Sequence, residues 1–227
     1  SMPNEMARFS EDALLLSQLL SQSGASPEAA ALLTEAEKLT QNGKDKRLWA
    51  QLACERARLM VESNDFANAD KRLVELVKVG QELRDPALLS DLMGIAAEAA
   101  ERSGRADEAI KRVTQAIELA AKLPGDAGIK RAVAHLGRLG RIELRAKHAD
   151  RALIVFRQQQ EAARKTGDRM EEARALVNES AVLHGRGDVD GCLDRLEQGL
   201  TIAREIGDLL TTAKALHNSA AVLAQKG

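Results

Sequence analysis

Aromatic residues are almost missing from this chain, making up 2% of its 227 residues with no tyrosine at all. Glycine and proline are sparse at 16 and 4, and clusters of Val, Ile, Tyr and Thr are lacking, which argues against a sheet. The two cysteines, Cys54 and Cys192, lie far apart with no Cys-x-x-Cys spacing. They indicate neither a disulfide framework nor a thiolate metal site, and they fit a reducing compartment, so a cytoplasmic location is the expectation. No run approaches the roughly 20 apolar residues of a membrane span. The N-terminus SMPNEMARFSED also lacks the charged-then-apolar layout of a signal peptide, so no membrane insertion is expected. Ser1, ahead of Met2, reads as an added residue outside the pattern. A formal net charge of −1 gives no global pull toward nucleic acid or an anionic membrane.

What is present is alanine and leucine. Apolar residues make up 44% of the chain, enough for a packed interior, and small side chains favour helices that lie close together. Charge is distributed unevenly: net −5 over residues 1–126, +5 over 127–151 and −1 over 152–227.

The chain also repeats itself. Residues 173–187 read ARALVNESAVLHGRG and residues 213–227, 40 positions on, read AKALHNSAAVLAQKG. An Asp closes a polar break at Asp45 (NGKD), Asp85, Asp126, Asp168 and Asp208, with spacings of 40, 41, 42 and 40. A small residue follows each mid-unit turn at Ala29, Ala69, Ala109, Ala152 and Cys192, with spacings of 40, 40, 43 and 40. Between these markers apolar residues recur every three or four positions, as at Ala109, Ile110, Val113, Ala116, Ile117 and Ala120, which is the helical period. Each unit therefore reads as two helices of roughly 15 to 18 residues, with Gly ending one helix and Asp or Asn capping the next. A helix pair of this size cannot bury its apolar face alone, so successive pairs must stack. The small residue after each turn lets the axes approach, which makes Cys192 a packing residue rather than a reactive thiol.

GRADEAIKRVTQAIELA (104–120) and ALVNESAVLHGRGD (175–188) resemble the second and first helices of the tetratricopeptide repeat (TPR) superfamily. The resemblance is to its long variant of about 40 to 42 residues, seen in kinesin light chains and bacterial peptide-sensing regulators, and it covers essentially the whole chain. The family's bulky Trp, Tyr and Phe positions are mostly Leu, Ala or Val here, and Pro is absent from most unit ends. The resemblance implies an all-α fold, a right-handed superhelical solenoid of antiparallel helix pairs with about 11 helices. The whole of residues 1–227 reads as one domain, with units at about 5–45, 46–85, 86–126, 127–168 and 169–208 and a terminal helix over 209–226. Gly227 matches the turn glycine Gly187, so a sixth unit stops at its midpoint. That last helix is either a cap or the start of further repeats in a longer chain, and its leucines favour the second.

No catalytic constellation is visible, and the expectation is a protein that is not an enzyme and takes no cofactor. Glu35, Glu37, Glu171 and Glu172 read as solvated helix charges. None of His135, His148, His184 and His217 stands at i, i+4 from another His or Cys, so no metal is expected. GRGD (185–188) is a turn with no preceding strand and none of the wider phosphate-loop pattern.

Surface remains. In the TPR superfamily the first helix of each unit lines a concave groove that holds a peptide, and the resemblance implies the same here. Aligned by the repeat, groove positions form three columns: Ala134, Arg174 and Lys214; Arg138, Asn178 and Asn218; and Arg141, Ala181 and Ala221. Glu55 and Ile95 extend the second column into earlier units, and Arg58 and Glu98 extend the third. Arg131, Arg138, Arg141 and Arg145 fall within about 80° on one helix side. Either this stripe meets a carboxylate-bearing ligand through paired hydrogen bonds, or it is a solvated or salt-bridged exterior. Asn178 and Asn218 offer a donor and an acceptor each, as similar asparagines in long-variant TPR proteins do to ligand main chain, or else they bond within their own helices or to the neighbouring unit. The candidate peptide-binding residues are thus Arg138, Arg141, Arg174, Asn178, Lys214, His217 and Asn218. Asp91, Glu98 and Glu101 make the earlier part of the groove acidic, which would set a ligand's direction.

The expected function is a protein-protein interaction module that takes an acidic peptide stretch or chain terminus, with no nucleic acid partner. Two alternatives stand beside it: a peptide-gated sensor of a longer signalling protein, and a scaffold that forms a homo-oligomer through the C-terminal helix.

Overall fold

A computed structural model describes residues 2–226 apart from 42 and 44, so Gly227 and two residues of the NGKD break, Asn42 and Lys44, lie outside the described residues. The described residues form eleven helices and no strand. They are α1 (Met2–Gln22), α2 (Ser26–Thr40), α3 (Lys46–Glu62), α4 (Phe66–Glu82), α5 (Pro86–Arg102), α6 (Ala106–Ala120), α7 (Gly125–Arg145), α8 (Ala149–Lys165), α9 (Arg169–Gly185), α10 (Val189–Glu205) and α11 (Leu209–Lys226). They gather into two compact units, residues 1–112 and 113–227.

Sequence chemistry explains where the helices break. Gly24, Gly104, Gly167, Gly187 and Gly207 take φ between 67° and 85°, the left-handed region where a Cβ is penalised. Asp168, Asp188 and Asp208, which directly follow three of these glycines, cap the next helix by accepting from Glu171 N, Gly191 N and Thr211 N, and Asp45 and Asp85 cap α3 and α5 in the same way, from Leu48 N and from Ala87 N and Leu88 N. Asp126 departs from this series. It lies inside the first turn of α7, which opens right after Pro124, whose fixed φ suits a helix start. Its carboxylate still sits at the favourable end of the helix dipole. α1 and α7, at 21 residues each, also outrun the expected length.

At two helix ends the left-handed position is held by an exposed cation instead of glycine, Arg84 at φ 50° and Lys147 at φ 65°. Arg84→Gly and Lys147→Gly are each expected to raise stability by about 0.5 to 1 kcal/mol, because the strain removed exceeds the chain entropy added. Thermal melts check this, and an unchanged or lowered Tm in both variants would contradict it.

Within residues 1–112, consecutive helices α1 to α5 pack on one another, and α3 also touches both α1 and α5. Within residues 113–227, consecutive helices α7 to α11 pack in the same way, and α9 also touches both α7 and α11. Each unit is therefore a solenoid of antiparallel pairs in which the odd-numbered helices form an inner row. The marker residues Ala29, Ala69, Ala109, Ala152 and Cys192 are all buried, as close approach of the axes requires. α7 adds a device of its own. A Cβ at Gly137 would lie 2.6 Å from Gln159 Nε2, and one at Gly140 would overlap the Phe156 ring, so these glycines let α8 settle against α7.

Two of the four glutamates read as solvated charges are corrected by the fold. Glu37 is buried on α2, where Arg56 donates to it at 2.7 Å and Arg72 also pairs with it. Glu172 is buried on α9, gripped by Arg164 at 2.6 Å and Arg169 at 2.8 Å. A helix face that is outer within one pair is inner once the next pair stacks on it. A carboxylate there survives only when cations from neighbouring turns or helices reach it.

Candidate peptide-binding groove

The inner row α7, α9 and α11 carries two successive clefts. The first, of about 100 Å³, is lined by Arg141 of α7, by Arg174, Val177 and Asn178 of α9, and by Thr211 and Lys214 of α11. The second, of about 150 Å³, lies further along the same α9–α11 groove between Ser180, Ala181, His184, Asn218, Ala221 and Val222, with Cys192 in its wall.

The structure thus brings Arg141, Arg174, Asn178 and Lys214 to one cleft and places Asn218 in the next. Arg138, half-buried on α7, lines neither cleft, and exposed His217 on α11 is also outside both linings. The four arginines of the α7 stripe, Arg131, Arg138, Arg141 and Arg145, are all engaged in interactions within the protein. The column positions proposed in earlier units fare differently. Ile95 is 2% exposed and part of a core cluster with Leu92 and Ala99, and Glu55 is buried and accepts from Arg58 Nε at 3.2 Å. Neither is groove surface.

Local chemistry separates the polar groups of the first cleft. Arg174 Nη1 donates to Glu171 Oε1 at 2.7 Å, and its Nε lies 3.8 Å from Asp208 Oδ2. Glu171 also accepts from Gln159 Nε2 at 2.8 Å. Asp208 is bound to the Thr211 hydroxyl at 2.6 Å and to its backbone N–H. Those two bonds, with Arg174 nearby, hold its carboxyl below the usual aspartate range. Arg174 is therefore already paired with carboxylates on two sides. Lys214 is exposed and makes no ion pair among the described residues. Asn178 and Asn218 are half-buried, and neither side-chain amide makes a hydrogen bond among the described residues. The alternative that these amides bond within their own helices is not what the structure shows.

Cys192 contributes an apolar wall. It is 1% exposed, and burial pushes its thiol above the ordinary value, which is the opposite of an activated nucleophile. Among the described residues no group of three or more His, Cys, Asp or Glu side chains is placed to hold a metal, and no helix is long and apolar enough to cross a membrane.

No family model and no curated protein sequence matches the chain. Solved structures do. BtubC (BKLC) from P. vanneervenii superposes with a TM-score of 0.75 at 17% identity over 90% of this chain and 84% of that one. A signal transduction ATPase with numerous domains (STAND) from Pyrococcus horikoshii, which carries a tetratricopeptide repeat sensor, gives 0.79 at 14% identity over 92% of this chain. The chain has a TPR-like fold. It spans only 32% of that STAND protein's length. A third TPR-like match, a Rap protein complexed with competence and sporulation factor, gives 0.70 at 11% identity over 97% of this chain and 65% of that one.

The second cleft contains residues that the repeat columns did not single out, namely Ser180, His184 and Val222. Ser180 and Val222 are apolar-face neighbours that only the packing of α9 against α11 turns into cleft wall. His184 could have been found from sequence, since it lies three and four residues past the column position Ala181 and the buried Ser180.

Proposed function

We propose that residues 1–227 form a non-enzymatic protein-protein interaction module whose α9–α11 groove holds an extended peptide segment. The observation that carries this reading is the pair of half-buried, unbonded amides, Asn178 and Asn218, repeated 40 residues apart in adjacent clefts. A half-sheltered amide with neither donor nor acceptor matched is at its best beside a peptide backbone, which offers one of each per residue. The complex of the TPR-like Rap protein with competence and sporulation factor supports the same reading.

Lys214, and the Nη2 end of Arg174 beyond its carboxylate contacts, give the first cleft its preference for an acidic side chain or a free C-terminus, with Arg141 at its edge. Arg138 on α7 and His217 on α11 lie outside both cleft linings and would meet a ligand only where it extends past the clefts. A peptide-gated sensor is the second reading, supported by the tetratricopeptide repeat sensor of the STAND protein. It predicts that a bound peptide changes the protein's dimensions in solution scattering.

The test is an array of random-sequence peptides with free and amidated C-termini. The wild-type chain is expected to retain a subset enriched in Asp and Glu. Asn178→Leu combined with Asn218→Leu is expected to weaken retention of that subset by about tenfold or more, two hydrogen bonds being lost. Lys214→Glu is expected to lose acidic peptides selectively. Retention of no peptide, or equal retention by the folded double variant, overturns the reading.

A further inference from the structure

The second cleft of the α9–α11 groove carries no formal charge. No Asp, Glu, Lys or Arg lines it, whereas Arg141, Arg174 and Lys214 line the first. Its floor is apolar, with Cys192 1% and Val222 4% exposed, and the exposed methyls of Ala181 and Ala221 stand at its rim. Two of its polar side chains are already engaged: Ser180 Oγ donates to Val177 O at 2.7 Å, and His184 Nε2 donates to Gln225 Oε1 at 2.8 Å. The Asn218 amide, unbonded among the described residues, is left to meet a ligand.

The opening belongs to the inner row itself. Ala181 is exposed although α9 is packed by α7, α8, α10 and α11, so the groove side of α9 stays open with its neighbours in place. The cleft measures about 150 Å³, the volume of an apolar protein cavity that takes up a benzene ring. One Leu, Met or Phe side chain suits that space. Ala would leave most of it unfilled, and a carboxylate or ammonium would shed its water there with no counter-ion in the wall.

We propose that the second cleft is a specificity pocket for one apolar side chain of leucine to phenylalanine size. That side chain belongs to a segment whose backbone meets Asn218 and whose acidic group lies in the first cleft. The proposal rests on the peptide-groove reading and adds what the ligand must carry besides its acidic group. Helix rise sets the spacing between the two. Along α9 the lining passes from Arg174, Val177 and Asn178 to Ser180, Ala181 and His184, about five residues on, or roughly 8 Å along the axis. An extended segment advances about 3.3 Å per residue and turns alternate side chains to the same face. The apolar and acidic residues therefore stand two positions apart.

Blocked hexapeptides of alanine that hold one Leu and one Asp two positions apart, in both orders, test this against the full chain by calorimetric titration. In the order that binds, Leu or Phe is expected to bind roughly ten- to fiftyfold tighter than Ala in its place, and Asp there to bind no better than Ala. Ala181→Leu and Ala221→Leu change exposed positions, and each is expected to keep the helical melt while filling the cleft. Both are expected to erase the difference between Leu and Ala peptides and to leave the dependence on the acidic residue intact. Lys214→Glu is expected to do the converse. Binding that needs the acidic residue but is equal for Leu and Ala overturns the pocket and leaves the groove reading standing. A preference for Leu that survives both filling variants also overturns it, since the side chain then lies elsewhere. If none of these peptides binds, and none from the random array, both readings fall.

Discussion

Alanine at both Arg157 and Arg195 is expected to lower the stability of the fold by about 3 kcal/mol, far more than surface arginines normally contribute. The reason lies on α9, where Glu179 is 2% exposed and takes Arg157 Nε of α8 at 3.0 Å and Arg195 Nε of α10 at 3.7 Å. Both cations have exposed parts that water can solvate, but the carboxylate does not. Removing the arginines leaves a buried charge without a counter-ion, whereas removing the glutamate leaves two cations free to turn outward. Glu179→Met in the double-alanine background is therefore expected to restore most of the loss. Urea denaturation of the three proteins checks this, and a double variant within about 0.5 kcal/mol of wild type would contradict it.

Phe156→Ala is expected to be as damaging, by about 3 to 5 kcal/mol, since Phe156 is fully buried and among the largest side chains in the core. Its ring lies against Gly140, so Gly140→Ala is also expected to destabilise, by about 1 to 3 kcal/mol, although alanine is the better helix former. The two sites share one space. Gly140→Ala combined with Phe156→Leu is expected to lose clearly less than the sum of the single changes, because the smaller side chain admits the new methyl. Strict additivity in a double-mutant cycle would show that the glycine is not there for the ring.

These sites show which parts of the structure were legible in the sequence. Helix pairs, their 40-residue period and the buried small residues could be read because each reflects a local requirement: a left-handed glycine, a capping aspartate, a close crossing. Asp126 misled only in register, since Pro124 opens α7 ahead of it. Glu37 and Glu172 were misread because their burial depends on helices and turns that stack on them from elsewhere in the chain. A hint was available for α9: between Glu172 and Leu183 apolar residues occur all round the helix, so an embedded Glu such as Glu179 had to be paired.

The groove was legible to the extent that it obeys the period. The column positions Arg141, Arg174, Asn178 and Lys214 meet at one cleft because α7, α9 and α11 pack in sequence. The cationic stripe was not legible as a site. Four arginines on one helix side cannot reveal that each is engaged within the fold, nor that Arg174 lies between Glu171 and Asp208. Those contacts move the weight of the site from guanidinium charge to the two amides and Lys214.

The most direct measurement follows the side-chain amide resonances of Asn178 and Asn218, assigned by substitution, while an array-selected peptide is titrated into the chain. If the peptide lies along α9 and α11 as proposed, both amide pairs shift together and their exchange with water slows, with one midpoint. If the peptide binds at that same midpoint while both amide pairs stay where they were, the groove assignment is wrong.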